Sequence, residues 1–408
     1  MQVRQPIWLQ RISTPGADAM AILFTFESFS RALLISLVPL EAYRILGDAG
    51  AVSLLFFLGS AAGLGANFAV PWLVRQVGRR WVYTVGAVLL FAAPIVLAGG
   101  SLPTQAFGMV LRALGVVSLG ICLNLYIMDH VHRRDFGRSE PKRIFYSAGA
   151  WTLGPALGVY LATEIDPWAA YGTSAFSALA LLAYFWFLRI SDSPAIGSGR
   201  YRASSPRQFI PRFFAQPRLL LAWLISFCRY AWWAMFMIYV PIYAVQSGLG
   251  ELAGGLIVSL GAGFTFLMPL WGWYARAVGV RRVLVTGYMV AGVLTLVVAV
   301  VSGEPWLAAG LLIVAALFMV TIDAVGNMPF MLAVRPRERA EMTTVYATYR
   351  DMGEILPPGL FALLLLVFNL PIVFVVTGLA TAAMSHVCRR MHPRFGLTRQ
   401  KQGLAVRA

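Results

Sequence analysis

The chain has 408 residues, of which 59% are hydrophobic and only 12% charged, with a mean hydropathy of +0.73. A soluble domain carries roughly a quarter charged residues, so a water-soluble globular protein is excluded, and no polar stretch is long enough to bury a core of its own. The net charge of +16 would point to nucleic acid in a soluble protein; here its placement along the chain points to a bilayer instead.

Apolar runs long enough to cross the ~30 Å hydrocarbon core recur from Met20 to Val387. Twelve helical spans are expected. In the first half they run over about 20–43, 50–74, 81–99, 104–128, 144–163 and 168–188. In the second half they run over about 219–246, 252–275, 283–301, 306–333, 343–367 and 370–388. The first run is too long for a signal-peptide core and no small-residue cleavage site follows it, so it reads as an uncleaved span. Trp72, Trp81, Trp168, Trp186, Trp273 and Trp306 fall near span ends, where interfacial anchors sit. Between the halves, Arg189 to Arg218 is a Ser, Gly, Pro and Arg-rich linker, with Gln208–Phe214 able to lie on the membrane as an amphipathic helix. The expected domains are therefore residues 1–188, the linker 189–218, and 219–408.

Of the 33 Lys and Arg, Arg31, Arg112, Arg229 and Arg350 fall inside spans and only Arg44 in one set of alternate loops. The rest crowd the other loop set and the two tails. Glu41, Asp48, Glu164, Asp166, Glu251 and Glu304 occupy the opposite loops. This asymmetry puts both termini in the cytoplasm of a multi-pass membrane protein, expected in a bacterial inner membrane. Cys122, Cys228 and Cys388, odd in number and at lipid depth, argue against a disulfide framework.

The chain repeats itself. Pro71-Trp-Leu-Val-Arg-Gln-Val-Gly-Arg-Arg-Trp-Val82 overlays Gly272-Trp-Tyr-Ala-Arg-Ala-Val-Gly-Val-Arg-Arg-Val283 at an offset of 201. Pro39/Pro241 follow at 202, and Asn124/Asn327, Met128/Met331, Arg134/Arg337, Tyr146/Tyr349 and Pro155/Pro358 at 203. Matches in order at a nearly constant offset indicate a duplicated six-span unit, a common construction among membrane transporters.

Two six-span halves, a basic central linker and this loop between spans 2–3 and 8–9 resemble the major facilitator superfamily. The family's loop runs Gly-x-x-x-Asp-Arg-x-Gly-Arg-Arg. Gly78, Arg79 and Arg80 match its end, as Gly272, Gly279 and Arg281 match in the second copy. Arg75 and Arg276 stand where the family has an acid that latches the cytoplasmic side. Another acid, Asp129 or Glu338, would have to supply that latch. Arg112-Ala-Leu-Gly115 resembles the family's Arg-x-x-x-Gly element, one residue short, whose Arg is linked to proton coupling. Gly154-Pro155-Ala-Leu-Gly158 resembles the Gly-Pro-x-x-Gly of drug and metabolite antiporters, and reads equally as a kink with small residues for close packing. The resemblance implies an all-α fold of twelve transmembrane helices in two pseudo-symmetric halves around a central cavity lined by spans 1, 4, 7 and 10.

Charges at membrane depth cost roughly 2.5–3.5 kcal/mol each on insertion scales, so their presence has a reason. There are eight: Glu27, Arg31, Arg112, Arg229, Asp323, Arg350, Asp351 and Glu354. All lie on spans 1, 4, 7, 10 and 11. Glu27 and Arg31 share a helix face at i,i+4, as do Arg350 and Glu354, with Tyr346 one turn before. A carboxylate beside an Arg in a cavity whose water access changes can take and release a proton. Glu27, Arg31, Arg112, Asp323 and Glu354 are thus the proton-coupling candidates, Glu27 foremost. Arg229, Trp232, Asn327, Tyr346 and Arg350 are the substrate-cavity candidates. The competing reading makes these groups static interhelical ion pairs.

Span 7 adds Tyr230, Trp233, Met235, Phe236, Met237, Tyr239 and Tyr243, a soft aromatic wall suited to amphipathic ligands. Only Lys142 and Lys401 are present and neither follows Gly, so the chain has no phosphate-binding loop and does not by itself use ATP. No nucleophile elbow or Cys-x-x-Cys occurs, and an enzyme is not expected. Asp129-His130-Val131-His132 reads as a solvated helix end, not a metal site. The expectation is a monomeric, cofactor-free secondary transporter of a small molecule, exporting an amphipathic compound against protons. Proton-coupled uptake of a small anionic metabolite is the alternative, and a non-transporting scaffold or sensor a more distant one.

Overall fold

The computed structural model describes residues 17–130, 136–188, 206–335 and 338–391. Every regular element among them is helical. Ten helical segments are long and apolar enough to cross a bilayer, and their ends lie within three residues of the expected spans. Most of the other two expected spans, 144–163 and 343–367, is also helical, in α6 (Phe136–Tyr160) with the π-helical turn Leu161–Ile165 after it, and in α15 (Arg339–Leu364), which ends three residues early. Arg143 on α6, and Arg350, Asp351 and Glu354 on α15, make these two helices more polar, and the Gly-Pro element lowers the apolar content of α6.

The chain divides into two compact units: Met1–Glu41 with Ala61–Tyr201, and Ala42–Ser60 with Arg202–Ala408. Residues 42–60, which sequence assigns to the first half, belong to the second unit. Residues 189–205 of the expected linker lie outside the described residues.

In the first unit, α1 (Ala17–Leu33) packs on α6 and α7 (Pro167–Phe187), and α4 (Arg79–Leu97) packs on α5 (Leu102–His130) and α7. In the second, α9 (Pro217–Gln246) packs on α15 and α16 (Pro371–Cys388), and α12 (Val280–Val300) on α13 (Pro305–Val325) and α16. Under the offset near 202 these are the same four pairings. The duplication read from scattered residues is thus a duplication of packing within each unit.

Neither lipid nor core wants polar groups, so which face turns inward follows from packing, not amphipathicity. On α4, Val82, Tyr83, Gly86, Ala87, Leu90 and Ala93 recur at helical spacing and are buried, while Trp81, Val85, Val88 and Ile95 stand exposed. Tyr83, Tyr126 and Phe185 form the aromatic centre, with Tyr83 and Phe185 ring centroids 4.2 Å apart. The six tryptophans expected as interfacial anchors are all exposed.

The lead helix of the first unit breaks. α1 ends at Leu33 and α2 (Leu37–Leu46) begins after Ser36. Pro39 has no N–H to offer the Ile35 carbonyl four residues back, and the interruption lies there. Its repeat partner Pro241 causes no such break, since α9 runs on to Gln246. Against the broken stretch α6 presents Gly154 and Gly158: a Cβ on Gly158 would stand 1.7 Å from the Leu33 carbonyl oxygen, and one on Gly154 2.5 Å from Ala32 Cβ. The packing reading of this Gly-Pro element therefore has a direct basis, because only glycine permits that backbone approach.

In the second unit, residues 42–60 are tied down by polar bonds. Arg44 pairs with Glu251 of α10 (Glu251–Gly263), Gln246 donates to the Tyr43 hydroxyl at 2.9 Å, and Ser53 and Tyr239 hydroxyls lie 2.7 Å apart. The linker helix α8 (Pro206–Phe214) buries Phe213 completely among Leu219, Ala222, Phe330, Met342 and Val345. Arg212 of the same helix pairs with Glu338. The amphipathic character expected for 208–214 serves docking on α15 and α9.

Candidate transport site

Each unit holds a polar group at membrane depth. In the first unit, Glu27 is 2% exposed, and its Oε1 accepts from Arg31 Nη1 at 3.3 Å. The i,i+4 spacing puts both side chains on one face of α1. Arg112 of α5 donates to the Arg31 backbone carbonyl at 3.4 Å, so three of the expected proton-coupling residues meet. Trp151 of α6 lies under the Arg31 guanidinium at 5.6 Å. Arg143 of α6 covers the Phe24 ring at 4.4 Å, donates to Asn124 at 3.0 Å, and acts electrostatically on Glu27. The group is underbonded at its centre: Glu27 Oε2, Ser28 Oγ and Arg31 Nε are buried without a hydrogen-bond partner.

The second unit's group differs. Asp323 Oδ1 meets Arg229 Nε at 3.2 Å, and Oδ2 accepts from Trp233 Nε1 at 2.8 Å, so both carboxylate oxygens are engaged. Arg229 also donates at 3.4 Å to Asn327 Oδ1 and to the Tyr349 hydroxyl. The Tyr346 hydroxyl donates to Asn327 at 3.1 Å, bonds to Ser226, and its ring stacks on Phe330 at 4.0 Å.

A break in span 10 makes this possible. α13 ends at Val325 and α14 (Met328–Ala333) follows two residues later; Pro329 has no N–H for the Val325 carbonyl. At the break Gly326 leaves room for the guanidinium, since a Cβ there would lie 2.6 Å from Arg229 Nη1. The charges expected at membrane depth thus fall largely into two groups, with Arg229, Asp323, Asn327 and Tyr346 in one of them.

Arg350 and Glu354 are exposed on α15. Arg350 Nε donates to the Tyr349 hydroxyl at 3.2 Å, and Glu354 accepts from Tyr230 at 2.6 Å. Trp232 meets the group only through Trp233, edge-on at 5.3 Å between ring centroids. It is fully buried, donates to Thr295 of α12 at 3.0 Å and stacks on Phe236. Met235, Phe236 and Tyr239, expected in a ligand wall, are likewise wholly buried.

Sequence reasoning passed over Tyr349, Trp151 and Arg143 as site residues, and gave Trp233 a place only in the span 7 aromatic wall. Trp233 lies one turn after Arg229 and Tyr349 one turn after Tyr346, and that spacing was the available signal. Arg143, one residue before the span expected over 144–163, falls among the loop charges in the sequence.

The repeated loops hold equivalent geometry. Gly78 (φ 84°) and Gly279 (φ 94°) cap α4 and α12 in a backbone region that favours glycine. Arg79 is buried with its guanidinium 4.4 Å over the Tyr126 ring, and Arg80 lies 4.1 Å over Trp186. Arg281 donates to the Arg389 carbonyl at 2.7 Å. Gly272 sits in α11 (Met268–Val278), where a Cβ would meet only Arg276. Arg75 and Arg276 are exposed. Of the acids considered for the latch, Glu338 is engaged by Arg212. The Asp129 and His130 side chains and His132 lie outside the described residues.

Broken apolar helices carrying charge at membrane depth, in units of matching packing, define a helical membrane transporter fold. The profile of the Major Facilitator Superfamily matches residues 20–358, and the chain belongs to that family. It is similar to the sugar efflux transporter B of Salmonella typhimurium, 24% identical over 232 residues, 55% of this chain and 56% of that one. It is also similar to the MFS-type transporter ucsD of an Acremonium species, 25% identical over 183 residues, 43% of this chain and 30% of that one. The matches thus span about half or less of these curated relatives. A crystal structure of a POT family transporter in complex with 5-aminolevulinic acid superposes with a TM-score of 0.76 at 11% identity, covering 94% of this chain and 99% of that one. At that identity the likeness speaks for the fold alone.

Proposed function

We propose that this protein is a proton-coupled secondary transporter, moving a small molecule by alternating access through twelve helices in two six-helix halves, with both termini cytoplasmic in a bacterial inner membrane. It works as a monomer without ATP or a cofactor. Glu27 takes and releases the coupling proton. The observation that supports this is the almost fully buried Glu27 carboxylate, with one oxygen on Arg31 at 3.3 Å and the other without a partner. Asp323 is the weaker candidate, because a proton there would disrupt an ion pair and a Trp233 hydrogen bond together.

Export is supported by the relative named for sugar efflux. The two sequence features that favoured export have other roles: Gly154 and Gly158 seat α6 on α1, and much of the span 7 aromatic wall is packed away. Uptake of an anion with a proton is supported by the Glu27–Arg31 geometry. Flux in everted and right-side-out vesicles, with and without a pH gradient, tests direction and coupling together. In Glu27→Gln, pH-driven accumulation should vanish while substrate exchange persists; full pH-driven accumulation in that variant would refute the assignment.

A further inference from the structure

Resting on that proton-coupled reading, we infer that the transported molecule carries an anionic group, a carboxylate or phosphate, that binds the Arg31 guanidinium when Glu27 is protonated. Proton and substrate then move in the same direction.

The contrast between the two units carries this. Arg229 is held by Asp323, Asn327 and Tyr349, and both oxygens of Asp323 are engaged. A proton on either oxygen of that carboxylate would have to break a bond already made. Arg31 has one contact to its carboxylate, long for a charge-assisted bond, and its Nε is buried without a partner. A two-oxygen anion suits the guanidinium fork, which can engage it through two parallel N–H bonds.

The groups facing Glu27 come from every helix packed around it. Arg31 lies on its own helix and Arg143 comes from α6; Arg112 of α5 bonds the Arg31 carbonyl nearby, and Cys122 and Tyr126 of α5 line the core around Tyr83. Tyr83 of α4 is within electrostatic reach, and α7 contributes Ser174 and Ser177, which donate to the Ser30 and Phe26 carbonyls of α1, and Tyr184 against the Phe26 ring. The described groups that face Glu27 are cationic or neutral.

Protonating Glu27 therefore removes the negative charge that Arg31 shares and leaves a partly buried guanidinium in want of an anion. An anion bound there in turn favours the protonated carboxyl, because the coupling is reciprocal. A cationic substrate would do the opposite: it would compete with the proton at Glu27 and give exchange.

The test uses the full chain in phosphatidylcholine nanodiscs, which contain no anionic lipid to occupy the site. The probes are inorganic phosphate and matched carboxylates, amides and amines on the same short aliphatic and phenyl skeletons. Binding is followed by calorimetry in weak buffer with a pH electrode. A carboxylate or phosphate should bind at least about tenfold more tightly than its neutral or cationic match, with about one proton taken up per anion. Glu27→Gln should bind the same anion with no proton uptake. Arg31→Gln should weaken it at least about tenfold, and Arg31→Lys should recover part of the loss.

The inference is overturned if no anion binds, if an amine or amide binds as well, if protons are released, or if Arg31→Gln binds as wild type does. Counterflow of the best-binding probe in proteoliposomes separates the two readings. Counterflow of an amine refutes the anion inference and leaves transport standing. Proton-linked anion binding without any counterflow keeps the anion site and refutes transport.

Discussion

Gly158→Ala is the most direct probe of how the first unit is built. A methyl at this position would stand 1.7 Å from the Leu33 carbonyl oxygen, whereas real Cβ atoms do not approach within 3.0 Å. The obstacle is backbone, with Leu33 C at 2.7 Å and Cα at 3.1 Å behind it, so no rotamer change relieves it. α6 and α1 must separate by about 1.3 Å, and overpacking of this kind costs typically 1–3 kcal/mol and more when the backbone has to yield. We expect about 3 kcal/mol, a fall in unfolding temperature of roughly 6–12 °C at the 2–4 °C per kcal/mol usual for units of this size. The matched control is Gly149→Ala on the same helix, where a Cβ meets nothing within 4 Å. That change should be neutral or stabilise by up to about 1 kcal/mol through helix propensity. Tryptophan-detected thermal unfolding of the two purified variants makes the comparison. Equal unfolding temperatures for Gly158→Ala and Gly149→Ala would refute the backbone docking of α6 on α1.

Asp323→Asn should destabilise by about 3–5 kcal/mol by leaving Arg229 as an uncompensated buried cation, and the paired change Arg229→Met with Asp323→Leu should recover most of it; thermal unfolding of the single and double variants reads the difference. Trp232→Phe should cost about 1 kcal/mol through the lost bond to Thr295, while leaving substrate counterflow near the wild-type rate. Phe213→Ala should cost about 3–5 kcal/mol, because this side chain anchors α8 to the second unit; faster limited proteolysis at α8 would register the release.

The candidate site was partly legible. Glu27 and Arg31 were paired from their i,i+4 spacing, and the pair is present. The bond between Arg229 and Asp323 was not legible, because it joins helices 94 positions apart and no local periodicity links them. Nor was the difference between a saturated carboxylate and an underbonded one, which depends on where Trp233 and Tyr349 point. Trp232 and Trp233 are neighbours in sequence, yet one packs against α12 and the other bonds the buried acid. A turn of about 100° per residue separates those roles.

By itself the sequence determined that the chain can cross a membrane many times, roughly where its long apolar helices lie, and that matching residues recur at an offset near 202. Those properties follow from the hydrocarbon's thickness and its intolerance of unpaired backbone, which act on each segment alone. Tertiary structure decided which face of each helix turns inward, where α6 touches α1, and which buried charges are satisfied. In a bilayer the lipid side and the core side of a helix are equally apolar, so hydrophobicity carries no record of that choice. Only backbone approach and hydrogen bonds between distant helices make it.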